Sequence, residues 1–148
     1  MLRIAIADDH AMFVDGIESI LRDEKTIKVV DKCFDGKSVF GMLQKQPIDV
    51  LLLDINLPDM SGIEVAKKLN VEFPDVKIIA VSMYNEESIV SEMLNNGAQG
   101  YILKNTGRAE PVSYTHLRAH ETVLDLVCGL LLEKKQNKKT KTNKLLLS

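Results

Sequence analysis

The sequence predicts an α/β fold with a doubly wound parallel sheet of five strands. Five short apolar segments alternate with four amphipathic segments between residues 2 and 104, and the connections between them are short. Such alternation is typical of a parallel sheet whose right-handed crossovers place helices on both faces. The third apolar segment, IDVLLLDI at 48–55, is apolar almost throughout, as expected of a central strand that is covered on both sides.

The first half of the chain supplies three strands and two helices. The strands are expected at 2–7, 27–34 and 48–55. In the first helix, at 10–24, apolar residues recur at helical spacing, namely Phe13, Ile17, Ile20 and Leu21. The second helix, at 35–46, carries Val39 and Leu43 on one side and ends before Pro47, which cannot continue it.

The second half continues the same alternation. A turn, LPDMSG, leads into a third helix at 62–73, and a strand follows at 76–82. The fourth helix, at 85–97, is expected to end at Gly97, because glycine readily adopts the left-handed conformation that closes helices. The last predicted strand is 98–104.

Polar residues follow the strands at their carboxyl ends, where parallel sheets bind ligands. These residues are Asp8 and Asp9 after strand 1, Asp54 in strand 3, Ser82 in strand 4 and Lys104 in strand 5. If these four strands are neighbours, the side chains share one rim. Three close carboxylates repel one another, and a divalent cation such as Mg²⁺ removes that repulsion. With the hydroxyl and the ammonium nearby, the rim suits a phosphoryl group carried on a carboxylate.

Simpler interpretations of the same residues remain open from the sequence. The pair Asp8 and Asp9 could cap the first helix, Asp54 could be a turn residue, and Lys104 could end its strand in solvent. His10 is interpreted as a residue of the first helix, with an influence on the rim as the alternative. The segment IADDHAMF contains no glycine-rich loop, which argues against a nucleotide site.

Four segments resemble the receiver domain of two-component response regulators over residues 2–106. They are IAIADDHAMFVDGI, DVLLLDINLPDMSGIEVAKKL, FPDVKIIAVSMYNEE and NGAQGYILK. Their sequences are most similar to the subgroup whose receivers precede a LuxR-type helix-turn-helix output domain (the NarL/FixJ type). This resemblance implies a flavodoxin-like sheet with strand order 2-1-3-4-5.

The resemblance also implies a role for each rim residue. Asp54 would be the phosphoacceptor, Ser82 the hydroxyl that follows the phosphoryl group, Lys104 its positive partner, and Tyr101 the switch aromatic. The Mg²⁺ ligands would be Asp8, Asp9, Asp54 and the main-chain carbonyl of Asn56.

The implied function is that of a phosphoacceptor and not of an enzyme, although the domain can remove its own phosphoryl group. The implied partners are a sensor histidine kinase, a second copy on phosphorylation, and DNA through an output domain missing here. No apolar run approaches the roughly 20 residues of a membrane span, and no signal peptide is visible, so we expect a cytoplasmic protein. The alternatives are a stand-alone receiver that acts by protein–protein interaction, an aspartyl-phosphate phosphatase, or a nucleotide-binding flavodoxin-like module.

The last segment does not continue this pattern. Residues 1–110 carry 12 basic and 18 acidic side chains, whereas residues 111–148 carry 7 and 3. Residues 111–139 resemble a translated sequencing-library adapter, which in one frame encodes Val-Ser-Tyr-Thr-His-Leu-Arg-Ala-His-Glu-Thr. We therefore expect a receiver at 1–110, truncated before or within its fifth helix, and an artefactual tail at 111–148.

This interpretation of the tail removes three hypotheses. The pair His116 and His120 is not expected to be a metal site, the basic tail is not expected to bind nucleic acid, and no disulfide between Cys33 and Cys128 is expected. Apolar tail residues nevertheless fall at helical spacing, so an accidental helix is predicted somewhere within 115–135.

Overall fold

The computed structural model describes residues 2–83 and 87–104, and over these ranges it has the predicted alternation of strands and helices. The strands are β1 (Leu2–Ala7), β2 (Ile27–Cys33), β3 (Val50–Asp54), β4 (Lys77–Ser82) and β5 (Ala98–Leu103). The helices are α1 (Ala11–Arg22), α2 (Gly36–Lys45), α3 (Gly62–Glu72) and α4 (Glu87–Asn95). The tail 111–148, the helix predicted within 115–135 and any fifth helix lie outside the described residues.

The five strands form one parallel sheet in the order β2-β1-β3-β4-β5. This order confirms the predicted fold class and the order that the resemblance implied. Ala7 pairs with Leu53, and Ser82 pairs with Leu103. The carboxyl ends of β1, β3, β4 and β5 therefore lie side by side, as the convergence of the rim residues requires.

Two hydrophobic clusters, one on each face of the sheet, hold the helices. Alternate strand residues divide between them, so that Leu51 and Leu53 belong to one cluster and Leu52 to the other. The first cluster contains buried residues of α2, α3 and α4, and the second contains those of α1. Every residue of β3 is buried, which confirms its predicted place as a central strand.

The helix ends depend on local capping. Asp35 accepts a hydrogen bond from the Ser38 N–H at 2.9 Å, and Ser61 accepts one from the Ile63 N–H at 3.1 Å, so these residues begin α2 and α3. Gly97 follows α4 with φ of +106°, as predicted for the residue that closes this helix.

The third strand begins two residues later than predicted. The carboxylate of Asp49 accepts hydrogen bonds from the main-chain N–H of Arg3 at 2.8 Å and from its Nε at 3.2 Å. This residue thus ties the entry of β3 to β1 through its side chain before the strand itself starts at Val50. Over the described ranges, none of the helices has both the length and the apolar character needed to cross a bilayer.

Candidate functional site

Two carboxylates and one ammonium meet at the carboxyl edge of the sheet. Lys104 Nζ lies 3.0 Å from Asp8 Oδ2 and 3.3 Å from Asp54 Oδ2. The three side chains are 4%, 1% and 1% exposed, respectively. A buried lysine between two buried carboxylates leaves a net negative charge, so this arrangement favours the binding of a further cation.

Asp54 is held in a fixed orientation by the segment that follows it. Its Oδ1 accepts a hydrogen bond from the Asn56 N–H at 3.0 Å, and its Oδ2 faces Lys104. Burial, aided by the negative charge of Asp8, raises the pKa of Asp54 to about 6, against the lowering effects of the Asn56 N–H and of Lys104. The carboxylate is therefore still largely ionised at neutral pH and can act as a nucleophile.

The close approach of β3 to α3 requires glycine at the start of that helix. A Cβ atom at Gly62 would overlap the carbonyl oxygen of Asp54. The Gly62 N–H donates to the carbonyl of Ile55 at 2.7 Å, so the loop folds back directly onto the residue after Asp54.

Ligand atoms suited to a metal ion cluster beside this ammonium. Asp8, Asp9, His10 and Asp54 each offer one atom, and these atoms all lie within 4.8 Å of one another. Asp8 Oδ2 is buried and accepts no hydrogen bond, although Lys104 Nζ lies 3.0 Å away, because the contact lacks hydrogen-bond geometry. Three carboxylates and only one ammonium meet here, so the residues present fit a divalent cation.

The other residues singled out in the sequence lie around this cluster. Ser82 is fully buried at the end of β4, and its carbonyl accepts a hydrogen bond from the Lys104 N–H at 2.7 Å. Tyr101 is 3% exposed and belongs to the cluster on the α2–α4 face, where it pairs in register with Ala80. Asn56 has an exposed side chain and forms an isolated bridge with Ser61.

The interpretation of the acidic pair as a helix cap is wrong. The N-cap of α1 is His10, whose side chain makes no capping hydrogen bond. The carboxylate of Asp8 instead accepts a hydrogen bond from the His10 N–H at 2.8 Å. His10 therefore precedes the helix, and its ring joins the rim, which was the alternative interpretation of this residue.

A contact that the sequence did not suggest links the loop after β3 to the start of α2. The carboxylate of Asp59 accepts hydrogen bonds from the N–H groups of Gly36 at 2.7 Å and Lys37 at 3.0 Å. The Gly36 hydrogen bond is the main reason that the pKa of Asp59 is lowered. Asp59 lies 23 residues from Gly36, so no local sequence signal could have paired them.

The comparisons with known proteins agree with this geometry. A family profile described as "Response regulator receiver domain" matches residues 4–115. The transcriptional regulatory protein DegU of Brevibacillus brevis is 39% identical over 103 residues, which are 70% of this chain and 44% of DegU. The oxygen regulatory protein NreC of Staphylococcus carnosus is 37% identical over 113 residues, which are 76% of this chain and 52% of NreC.

Among solved structures, the signal receiver domain of the response regulator NarL from Mycobacterium tuberculosis superposes with a TM-score of 0.70 at 28% identity. That match covers 86% of this chain and 97% of the NarL chain. The chain spans about half the length of the curated relatives it matches. On these matches the chain belongs to the response regulator receiver domain family, among its NarL- and DegU-type members.

Proposed function

We propose that Asp54 is the phosphoacceptor of this receiver domain and that a partner sensor histidine kinase supplies the phosphoryl group. The observation that carries the proposal is the buried Asp54 carboxylate, whose Oδ2 faces the Lys104 ammonium at 3.3 Å beside a second buried carboxylate, Asp8. Burying charges of this kind costs folding free energy, and carboxylates with perturbed pKa values cluster at functional sites.

In the proposed reaction, a bond forms between phosphorus and an Asp54 oxygen while the bond from phosphorus to the kinase histidine breaks. The Asn56 N–H holds Oδ1, so that Oδ2 remains available on the side of Lys104. Lys104 then neutralises part of the charge on the transferred group. Mg²⁺, when bound, would supply further charge neutralisation, and Asp8, Asp9, Asp54 and the Asn56 carbonyl would hold it.

Ser82 and Tyr101 are proposed to convert phosphorylation into a conformational change. Phosphorylation adds negative charge and acceptor oxygens at Asp54, and the Ser82 hydroxyl, at the end of the neighbouring strand, would donate to one of them. Tyr101 is already buried against the α2–α4 face, which is the inward position proposed for the switched state. The unphosphorylated and phosphorylated forms would differ by a local charge at Asp54, and such a charge is sufficient to shift an equilibrium between two conformations.

We propose further that the parent protein is a DNA-binding transcriptional regulator. The relatives DegU and NreC are about twice as long as their matched segments. In this proposal, DNA contacts belong to an output domain outside this chain, and phosphorylation promotes pairing of two receivers. A cytoplasmic location and self-catalysed loss of the phosphoryl group remain predictions.

The tail 111–148 is proposed to be an artefact that does not belong to the receiver, with a translated adapter at residues 111–139. The nucleotide sequence that encodes 112–122 tests this directly. A match to the adapter is expected, and codons that differ from it throughout would contradict the proposal.

Phosphorylation is tested by incubating the chain with a labelled small phosphodonor such as acetyl phosphate and Mg²⁺. We expect retained label in the parent chain and in Asp15→Asn, a control that removes an exposed carboxylate on α1. Label should be absent in Asp54→Asn and after chelation of the metal. Equal label in Asp54→Asn would refute the assignment, and steady turnover of an added phosphoester would favour the phosphatase alternative.

A further inference from the structure

His10 places a nitrogen atom among the carboxylates of the rim. Its Nδ1 lies 3.1 Å from Asp8 Oδ1, 3.5 Å from Asp9 Oδ1 and 3.9 Å from Asp54 Oδ2. The ring is half exposed, so one side of it remains open to solvent. Because the residue is the N-cap of α1 and makes no capping bond, its side chain is free of any role in that helix end.

These separations match those between two ligands of one metal ion. Ligand atoms about 2.1 Å from a metal are separated by roughly 3.0 Å at a right angle and roughly 3.4 Å at a tetrahedral angle. The distances of 3.1 Å and 3.5 Å from Nδ1 lie within about 0.1 Å of this range, and the distance of 3.9 Å to Asp54 Oδ2 exceeds it by about 0.5 Å. Small side-chain adjustments would therefore bring the nitrogen and the carboxylate oxygens onto a common ion.

The Lys104 ammonium contacts the ring nitrogen of His10 that faces the cluster. Lys104 Nζ lies 2.6 Å from His10 Nδ1. An ammonium only donates hydrogen bonds, whereas the Asp8 carboxylate 3.1 Å from the same nitrogen only accepts them, so the two contacts require opposite ring tautomers. A metal ligand needs the tautomer with the proton on Nε2, which is the one that the Lys104 contact favours. A positive group thus already contacts Nδ1 together with Asp8 and Asp54.

We propose that His10 is a nitrogen ligand for a metal ion at this rim, which is thereby a site of mixed nitrogen and oxygen ligands. This site binds divalent first-row transition-metal ions in preference to Mg²⁺. The inference rests on the carboxylate metal site of the proposed function and adds one ligand to it. Imidazole favours ions such as Co²⁺, Ni²⁺ and Zn²⁺, whereas Mg²⁺ takes almost only oxygen ligands. The Lys104 ammonium, which contacts Nδ1, Asp8 and Asp54 together, is the independent sign that this position accepts a cation.

The test compares Co²⁺ with Mg²⁺ in a full-length background that lacks the other imidazoles. The chain contains three histidines, so His116→Ala and His120→Ala leave His10 alone. Affinities are measured by titration calorimetry in this background, with His10→Ala, and with Met12→Ala as a control. Met12 is 86% exposed at the start of the same helix, so its loss changes the surface without removing a ligand.

We expect His10→Ala to weaken Co²⁺ binding by at least about tenfold, because even the outer partners of metal ligands commonly contribute 10–100-fold. Mg²⁺ affinity should change by less than twofold, and Met12→Ala should leave both affinities unchanged. Proton NMR gives a second measurement that needs no His10 variant to fold. The Co²⁺-bound background should show a hyperfine-shifted, exchangeable imidazole proton.

Absence of that proton with Co²⁺ bound, or an equal loss of Co²⁺ and Mg²⁺ affinity in His10→Ala, would overturn the inference. If Asp54 is labelled by the phosphodonor while Co²⁺ shows no imidazole signal, the ligand role of His10 is wrong and the phosphoacceptor role stands. If the imidazole signal is present without label on Asp54, the metal site stands and the phosphoacceptor role is wrong.

Discussion

Replacing Asp54 by asparagine is expected to stabilise the fold against urea at alkaline pH. The carboxylate is 1% exposed, and burial raises its pKa from 3.8 to about 6 in the folded chain. Each pKa unit corresponds to about 1.4 kcal/mol, so the ionised group costs the folded state on the order of 3 kcal/mol well above pH 6. Asparagine has nearly the same shape and no charge, and it therefore removes this cost.

The pH dependence follows from the direction of the shift. Because the folded chain holds the proton of Asp54 more tightly than the unfolded chain, the cost is fully present above about pH 6. It decreases as the pH falls from about 6 and is absent below the unfolded value of 3.8. The gain from Asp54→Asn should therefore be large at pH 8, smaller at pH 5 and close to zero near pH 4.

The assay is urea unfolding followed by circular dichroism, in a metal chelator, at several pH values. The unfolding midpoint should rise in Asp54→Asn at pH 8 with an unchanged denaturant slope, and Asp15→Asn should change little. In a separate titration without chelator, added Mg²⁺ should stabilise the parent chain and not Asp54→Asn. A variant that is less stable than the parent at pH 8, or a gain that is the same at pH 8 and pH 5, would refute this reasoning.

Substitutions at three further contacts are tested by the same urea assay. Lys104→Met leaves the buried carboxylates unpaired, so it should destabilise the fold by about 3–5 kcal/mol at pH 7 and by less at pH 5; a pH-independent loss would contradict the pairing. Gly62→Ala should destabilise the fold because the new Cβ meets the Asp54 carbonyl. The control Gly41→Ala, with open space around it, should stabilise α2 by about 0.5–1 kcal/mol. Similar effects at both positions would be inconsistent with the close approach of α3 to the Asp54 carbonyl. Asp59→Ala should lower the unfolding midpoint at neutral pH, because the pKa of Asp59 is lowered in the folded chain. The contribution of this carboxylate to stability is lost only as the pH falls below 3.8. An unchanged midpoint would show that the contact with α2 adds no stability.

Features that depend on local pattern could be predicted from the sequence. The apolar run at 48–55 indicated a central strand, and β3 is buried along its whole length. Gly97 was expected to close α4, and its positive φ confirms this. Asp54 and Lys104 were placed on a common rim from the ends of their strands, and their side chains are in contact.

Features that depend on contacts between distant segments could not be predicted. Asp49, just before β3, is hydrogen-bonded to Arg3 of β1, and α2 begins against Asp59, across 46 and 23 residues of sequence, respectively. The direction of the His10 ring depends on the extended backbone at the N-cap of α1, with φ of −93° and ψ of 97°. No periodicity in the sequence reports a single backbone conformation of this kind.

The most direct measurement of the central proposal is the location of the acyl phosphate in the chain. After treatment with acetyl phosphate and Mg²⁺, borohydride reduction converts a phosphorylated aspartate to homoserine, which peptide mass spectrometry locates. The account predicts homoserine at position 54 and unmodified aspartate at positions 8 and 9. Homoserine at position 8 or 9, or none at position 54 in a folded and metal-loaded chain, would contradict it.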